Sequence, residues 1–440
     1  MEIKEVLSYA LDKLSSKGID KAHGSISESE KKELNIEAGK ISLLRTTFQN
    51  SIFLEGIKDS KQGSISINKI SKTEVDESIE KLILLIESSQ PDDANDIAEK
   101  QDKEKFTRGQ LSTDLNNMYD KLNSFNNYVK SNHKNIILEA GILDHVSSNA
   151  YVMNTNGVNF NINKGEYGFS PMFTAKKGSL TSSFNYTSYS SLNLNEEIKD
   201  RGYVIELMNQ SYQQLYSKKL QNKFVGQVIV TPHCLSDFLS FIEGSISDGA
   251  LISGTSIYKD KIGKKIANSK FTLSSLPVNS DVSCGYFLTS DGYKARNVNI
   301  IEGGLLNTHL LSLYGSKKTG GKRISNDGGA YQINSSTNDL TNMIKDIDKG
   351  IILCRFSGGS PSDNGDFSGV AKNSFYIENG KIQFPITETM ISGNIAQMFM
   401  NIIDISNETI DFGYNILPWI SFDGITISWL RKGYLYFFYS

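Results

Sequence analysis

The chain has 440 residues, of which 38% are hydrophobic and 22% charged, with a formal net charge of −3. That length suits two globular domains of about 200 residues each. The charge balance offers no basic face of the kind a nucleic-acid-binding module presents, and no apolar run approaches the roughly 18 residues of a membrane-spanning helix.

Taken in order, the chain opens with an amphipathic helix, because Ile3, Val6, Leu7, Ala10, Leu11 and Leu14 form one stripe of a 3.6-residue period and Gly18 follows. Short strands with tight turns come next, one turn at Ala38-Gly39. Ser71 and Glu74 form a capping box ahead of a second helix striped by Val75, Ile79, Leu82, Ile83 and Ile86. Residues 90–110 are highly charged and read as a mobile connector, with packing through Phe106 as the alternative. A third helix uses Leu115, Met118, Leu122, Phe125 and Val129. A strand meander follows, with Asn156-Gly157 expected as a type I′ turn, and a helix around 195–217 closes this half.

The second half begins near Val225 with a buried strand, VGQVIVTP, and the helix DFLSFIEGSIS. Hairpins are expected at Glu302-Gly303-Gly304 and Asn379-Gly380. Between them, Ser336 and Asp339 cap a helix, with Gly350 at its C-terminal cap. Strands dominate to the end. The expected fold is α+β, with two domains, 1–222 and 223–440, each mainly antiparallel sheet with packed helices. Three widely spaced cysteines, Cys234, Cys284 and Cys354, argue against a disulfide framework, and the N-terminus lacks the apolar core of a signal peptide. A cytoplasmic protein is the economical expectation.

Catalytic motifs are scarce. The histidines are His23, His133, His145, His233 and His309; none is followed by Glu, and none has a second His four or five residues on, so the HExxH pattern of hydrolytic zinc helices is missing. His233-Cys234 is a pair of soft ligands, but adjacent helical residues point about 100° apart and rarely share a metal. No GxSxG elbow is present. Ser357, Ser360, Ser362 and Ser368 lie in a glycine loop with no nearby His in sequence. Asp363 and Asp366 lack the ligand alternation of an EF-hand and read as caps of their own turn, with acid–base or cation chemistry as the alternative.

The densest signal is CRFSGGSPSDNGDFSG, residues 354–369, continued by FYIENGKIQFPITETMISGN. With TSDGYKARNVNIIEGGLLNTHLLSLYGSKKTGG at 289–321 and LPWISFDGITIS at 417–428, it resembles the TldD/PmbA family, once called modulators of DNA gyrase. The resemblance covers most of the chain, is strongest after residue 225, and extends to YVMNTNGVNF at 151–160. In the family's catalytic branch an HExxxH helix follows the strand that opens the second domain, and a cysteine near the C-terminus completes a zinc site. Here that helix reads HCLSDFLSFIEG, and FDGITIS carries no cysteine.

The resemblance therefore implies the PmbA/TldE-like branch: a non-catalytic subunit, with no catalytic or metal-ligating residue and no cofactor of its own, working with a TldD-like protease subunit that carries the zinc. Extended or unfolded peptides would be the substrate. Peptide contacts are expected from Ser357, Gly358, Gly359, Asp363, Gly365, Asp366, Phe367, Ser368 and Gly369, through main-chain pairing with glycines allowing close approach; the alternative is that this loop only shapes its own domain. The isolated chain is expected to be a homodimer, with no nucleic-acid or membrane partner. Two other functions stay open: a peptide-binding homodimeric scaffold without a protease, and an independent hydrolase using the loop serines or aspartates. The aromatic run Tyr434, Tyr436, Phe437, Phe438 and Tyr439 departs from the family pattern and would associate if exposed.

Overall fold

The computed structural model describes residues 2–280, 282–387 and 389–429, so the aromatic run after Trp429 lies outside the described residues. The fold is α+β and built on two mixed, mainly antiparallel sheets. The first helix, α1 (Ile3–Ser16), buries the whole predicted stripe. Long strands β1 (Lys21–Glu37) and β2 (Lys40–Lys58) form a hairpin turned by Ala38 and Gly39, both at positive φ. Next come β3 (Lys61–Ile67), α2 (Lys72–Ser88), β4 (Glu104–Arg108), α3 (Leu115–Asn132), β5 (Ile136–Asn154) and β6 (Asn159–Lys177). Their sheet order is β3-β2-β1-β5-β6-β4.

Strand period 2 fixes where the helices sit. Ala22 and Ile26 of β1 join the core under α1 and α2, while Leu34 and Ile36 join the core under α3 and α4 (Val204–Gln213). All four are even-numbered, so both cores lie on one face of the sheet, at opposite ends of its long strands.

Three sequence expectations need correction. Residues 90–110 are not a mobile connector: Ala94, Ile97 and Ala98 are buried, and β4 pairs parallel with β6. Phe106 stacks on Phe287 at 4.9 Å, and the buried Arg108 donates to the carbonyls of Pro277 and Val282, so this segment joins the two halves. Two of its acids are paired with lysines of the second half, Asp96 with Lys317 at 2.6 Å and Asp92 with Lys318 at 2.9 Å. The β5–β6 turn is not type I′, because only Gly157 takes positive φ, whereas Asn379 and Gly380 both do. Gly350 is no helix cap; it lies in the strand Lys349–Leu353, where a side-chain carbon would approach the Gln227 carbonyl to 2.3 Å.

In the second sheet the strand Phe224–Val230 is central. It pairs parallel with Lys349–Leu353 on one side and antiparallel with the closing strand Ile416–Trp429 on the other. A branch leaves the closing strand through Thr389–Asn394 to the return strand Asp366–Lys372 and ends at the groove strand Arg355–Gly358. Helix α5 (Pro232–Ser245) covers this sheet with Cys234, Leu235, Phe238, Leu239 and Ile242. Among the described residues no helix is long and apolar enough to cross a membrane.

Candidate functional site

A groove of about 460 Å³ lies where five chain segments meet: 183–188, the first turn of α5, the groove strand, Lys372-Asn373, and Phe412 with Tyr414. Phe184 stacks on Tyr186 along one wall and Phe412 on Tyr414 along another, with ring centroids 6.1 and 5.8 Å apart. The groove strand pairs only with the return strand, so among the described residues its other edge has no strand partner.

Helix α5 enters the groove because Pro232 opens it with a preset φ, and the preceding Thr231 ties its hydroxyl to the Cys354 carbonyl at 3.2 Å. His233 follows. Its Nε2 lies 3.0 Å from Thr187 Oγ1 and 3.3 Å from the Gly202 carbonyl, and its ring meets Phe412 edge-on at 4.9 Å. Burial, aided by the charge of Arg355, pushes its pKa down to about 3, so the ring is neutral at neutral pH. Cys234 faces the core, and burial raises its thiol well above the ordinary value. Asp237, one turn on, reaches the groove; burial raises its carboxyl, and Arg355 opposes that shift.

A zinc site needs three or four donors converging on one point. Here the Nε2 of His233 is engaged, the Cys234 thiol is turned inward, and Phe238 packs in an aromatic cluster with Phe356 and Phe367 at 5.7 and 5.3 Å. Among the described residues no three His, Cys, Asp or Glu side chains are placed to hold a metal ion. The donor set does not fit zinc. The other histidines are scattered: His23 is buried with Nδ1 unpartnered among the described residues, His145 meets the Gln110 carbonyl at 2.7 Å, His309 meets that of Tyr258 at 3.0 Å, and His133 ends α3.

The residues expected to contact peptide divide into two groups. Ser357 lines the groove. Gly358 and Gly369 instead make room for the Phe356 ring, since a side-chain carbon on either would lie 2.5 Å from it. Phe367 is buried. Gly365 takes φ +91° against Phe241. Asp366 accepts from Asn394 at 2.9 Å and Asn364 at 3.1 Å, and Ser362 donates to Asn364 at 2.6 Å, so the loop bonds largely to itself. Gly359, Asp363 and Ser368 are exposed. His233 and Ser357 share the groove, but no hydrogen bond joins them, and the weak basicity of His233 suits a general base poorly.

Sequence reasoning missed Phe184, Tyr186, Asp237, Arg355 and Lys372. Arg355 carried a faint signal, a cation directly after the apolar run Ile351–Cys354. The aromatic walls carried none, because their segments are far apart in the chain.

Residues 222–429 match the family pattern described as PmbA/TldA metallopeptidase C-terminal domain. The chain is 21% identical over 434 residues to a protein of Haemophilus influenzae named Metalloprotease PmbA homolog, covering 92% of each. It is 26% identical over 235 residues to the Zinc metalloprotease TldD homolog of Saccharolobus solfataricus, covering 48% of this chain and 52% of that one. Its fold superposes on the crystal structure of TldE from Thermococcus kodakarensis with a TM-score of 0.84 at 19% identity, over 96% of this chain and all of the other.

Proposed function

Because the chain belongs to the TldD/PmbA family, we propose that it is a PmbA/TldE-like, non-catalytic subunit that holds extended peptides for a TldD-like metallopeptidase partner in the cytoplasm. One observation supports this reading: among the described residues the far edge of the groove strand has no strand partner, and it lies beside a helix start with no set of metal donors. An extended peptide adds to such an edge through main-chain hydrogen bonds, with little demand on its side chains. The strand has four residues and its Phe356 amide is already directed at the Cys234 thiol, which leaves about two or three such bonds, each worth about 0.5–1.5 kcal/mol net. That is a weak, sequence-tolerant grip, suited to presenting substrate rather than sequestering it. Zinc, its bound water and the general base would come from the partner, and this chain would carry no cofactor.

The test is metal analysis and peptide cleavage with the purified chain, alone and mixed with a TldD-like protein of the same organism. Zinc and cleavage appearing only in the mixture are the expected result. Stoichiometric zinc or cleavage in the isolated chain would overturn the assignment. A second reading, a peptide-binding homodimer without protease, is favoured by the outer edge of β2, where Leu44 and Phe48 are 57% and 74% exposed. A genome lacking any TldD-like gene would favour it over the first.

A further inference from the structure

Among the described residues, the floor of the groove sets two cations, Arg355 and Lys372, against a single acid, Asp237. Arg355 and Lys372 are directly opposite each other across the groove hairpin, and both line the cavity. Like charges in that register cost roughly 0.2–1 kcal/mol unless something lies between them. Among the described residues neither is within ion-pairing distance of a carboxylate; Asp237, the sole acid lining the groove, is bonded to neither.

Arg355 is also held rigidly. Its Nε donates to Asn185 Oδ1 at 2.8 Å, its Nη2 donates to the Tyr186 carbonyl, and its guanidinium lies 3.5 Å over the Tyr186 ring. These contacts use one side of the planar fork and leave Nη1 without a hydrogen-bond partner among the described residues. A fixed guanidinium with free donors matches a carboxylate, which it binds with two parallel hydrogen bonds. A flexible lysine opposite adds charge with little geometric demand.

We propose that Arg355 and Lys372 form an anchor for a carboxylate of the bound peptide, either its C-terminal carboxylate or an Asp or Glu side chain. The proposal rests on the peptide-binding reading above and sharpens it: main-chain pairing along the groove strand gives general affinity, and the anchor sets the register at which the peptide stops. Phe184 and Tyr186 on one wall, and Phe412 and Tyr414 on another, would flank apolar residues next to the anchored group.

The experiment is fluorescence anisotropy of the full chain with a short labelled peptide of Val, Thr and Leu in three forms: free C-terminal acid, C-terminal amide, and amide with one internal Glu. The acid is expected to bind roughly tenfold or more tighter than the amide, the loss from removing one charged, bidentate contact. Recovery with the internal Glu would mean that any carboxylate serves; no recovery would assign the anchor to the C-terminus. In Lys372→Gln and Arg355→Gln the acid-over-amide preference should shrink, more for arginine. Among the described residues the Lys372 side chain makes no hydrogen bond or ion pair, so Lys372→Gln keeps the test sound if Arg355→Gln perturbs the wall. Equal binding of all three peptides to the natural chain would overturn the anchor while leaving peptide binding intact. No binding by any of them would overturn both.

Discussion

Among the described residues, segment 40–51 of β2 and the groove strand Arg355–Gly358 each lack a strand partner on one edge, yet their surroundings differ. Among the described strands the β2 segment pairs with β1 alone, since β3 begins its ladder at Ile52. It exposes Leu43, Leu44 and Phe48 to open solvent, and its one arginine, Arg45, is already paired with Glu33 at 2.8 Å. The groove strand lies recessed between aromatic pairs, over a buried aromatic cluster, with two cations against the one carboxylate of Asp237 among the described lining residues. The hydrogen-bonding groups on the two edges are the same. What differs is the flanking chemistry: a broad apolar edge suits another sheet, whereas a recessed and charged one suits a single extended strand with an acidic group.

The contrast can be broken most strongly from beneath the groove. Phe367→Ala removes a buried ring that packs edge-on against Phe238 and Phe356, and should cost about 3–5 kcal/mol; urea or thermal unfolding measures it, and a loss below that of a surface change would mean the hairpin is not anchored there. Gly369→Val should cost roughly 1–3 kcal/mol, because its side chain would collide with the Phe356 ring, and peptide affinity should fall with it if the ring sets the position of the groove strand.

Acid should separate the two edges more gently. His233 lies behind the groove strand with its pKa lowered from the ordinary 6.5 to about 3. Between those values the unfolded chain takes up a proton that the folded chain refuses, so stability is present above pH 6.5 and falls as pH drops toward about 3. By about pH 5 the loss is about 2 kcal/mol. Melting curves of His233→Gln should show a shallower fall than the natural chain, and parallel curves would refute the linkage. The smallest effect belongs to the β2 edge: Phe48→Ser should change monomer stability by no more than about 0.5 kcal/mol while reducing self-association in sedimentation. A large stability loss would show that Phe48 is not an open-edge residue.

The sequence disclosed what local pattern encodes. The stripe of α1 is buried as read, Ser71 accepts from the Glu74 amide, and Asn379-Gly380 adopts the double positive φ that its composition suggests. Long-range pairing stayed hidden. Strand β4 and the residues before it looked like a charged linker because the partner β6 lies about fifty residues further on and the segment's acids find cations elsewhere; nothing local distinguishes Asp92 as a solvated charge from Asp92 as the partner of Lys318. The glycine loop was read as a place of close backbone approach, which is what Gly358 and Gly369 provide, although what approaches them is the chain's own Phe356 ring. The groove itself draws on five distant segments, so no single stretch announces it.

The central position of Ile416–Trp429 has a consequence for the order of synthesis. The first sheet has all its long strands once Lys177 is made, but Phe224–Val230 waits for a partner about two hundred residues later. At about 5–20 residues per second that wait lasts roughly 10–40 s. Until Lys349–Leu353 is made, an apolar strand on the nascent chain has both sides open, and one side open after that, making the second half the part of this protein with most need of a chaperone.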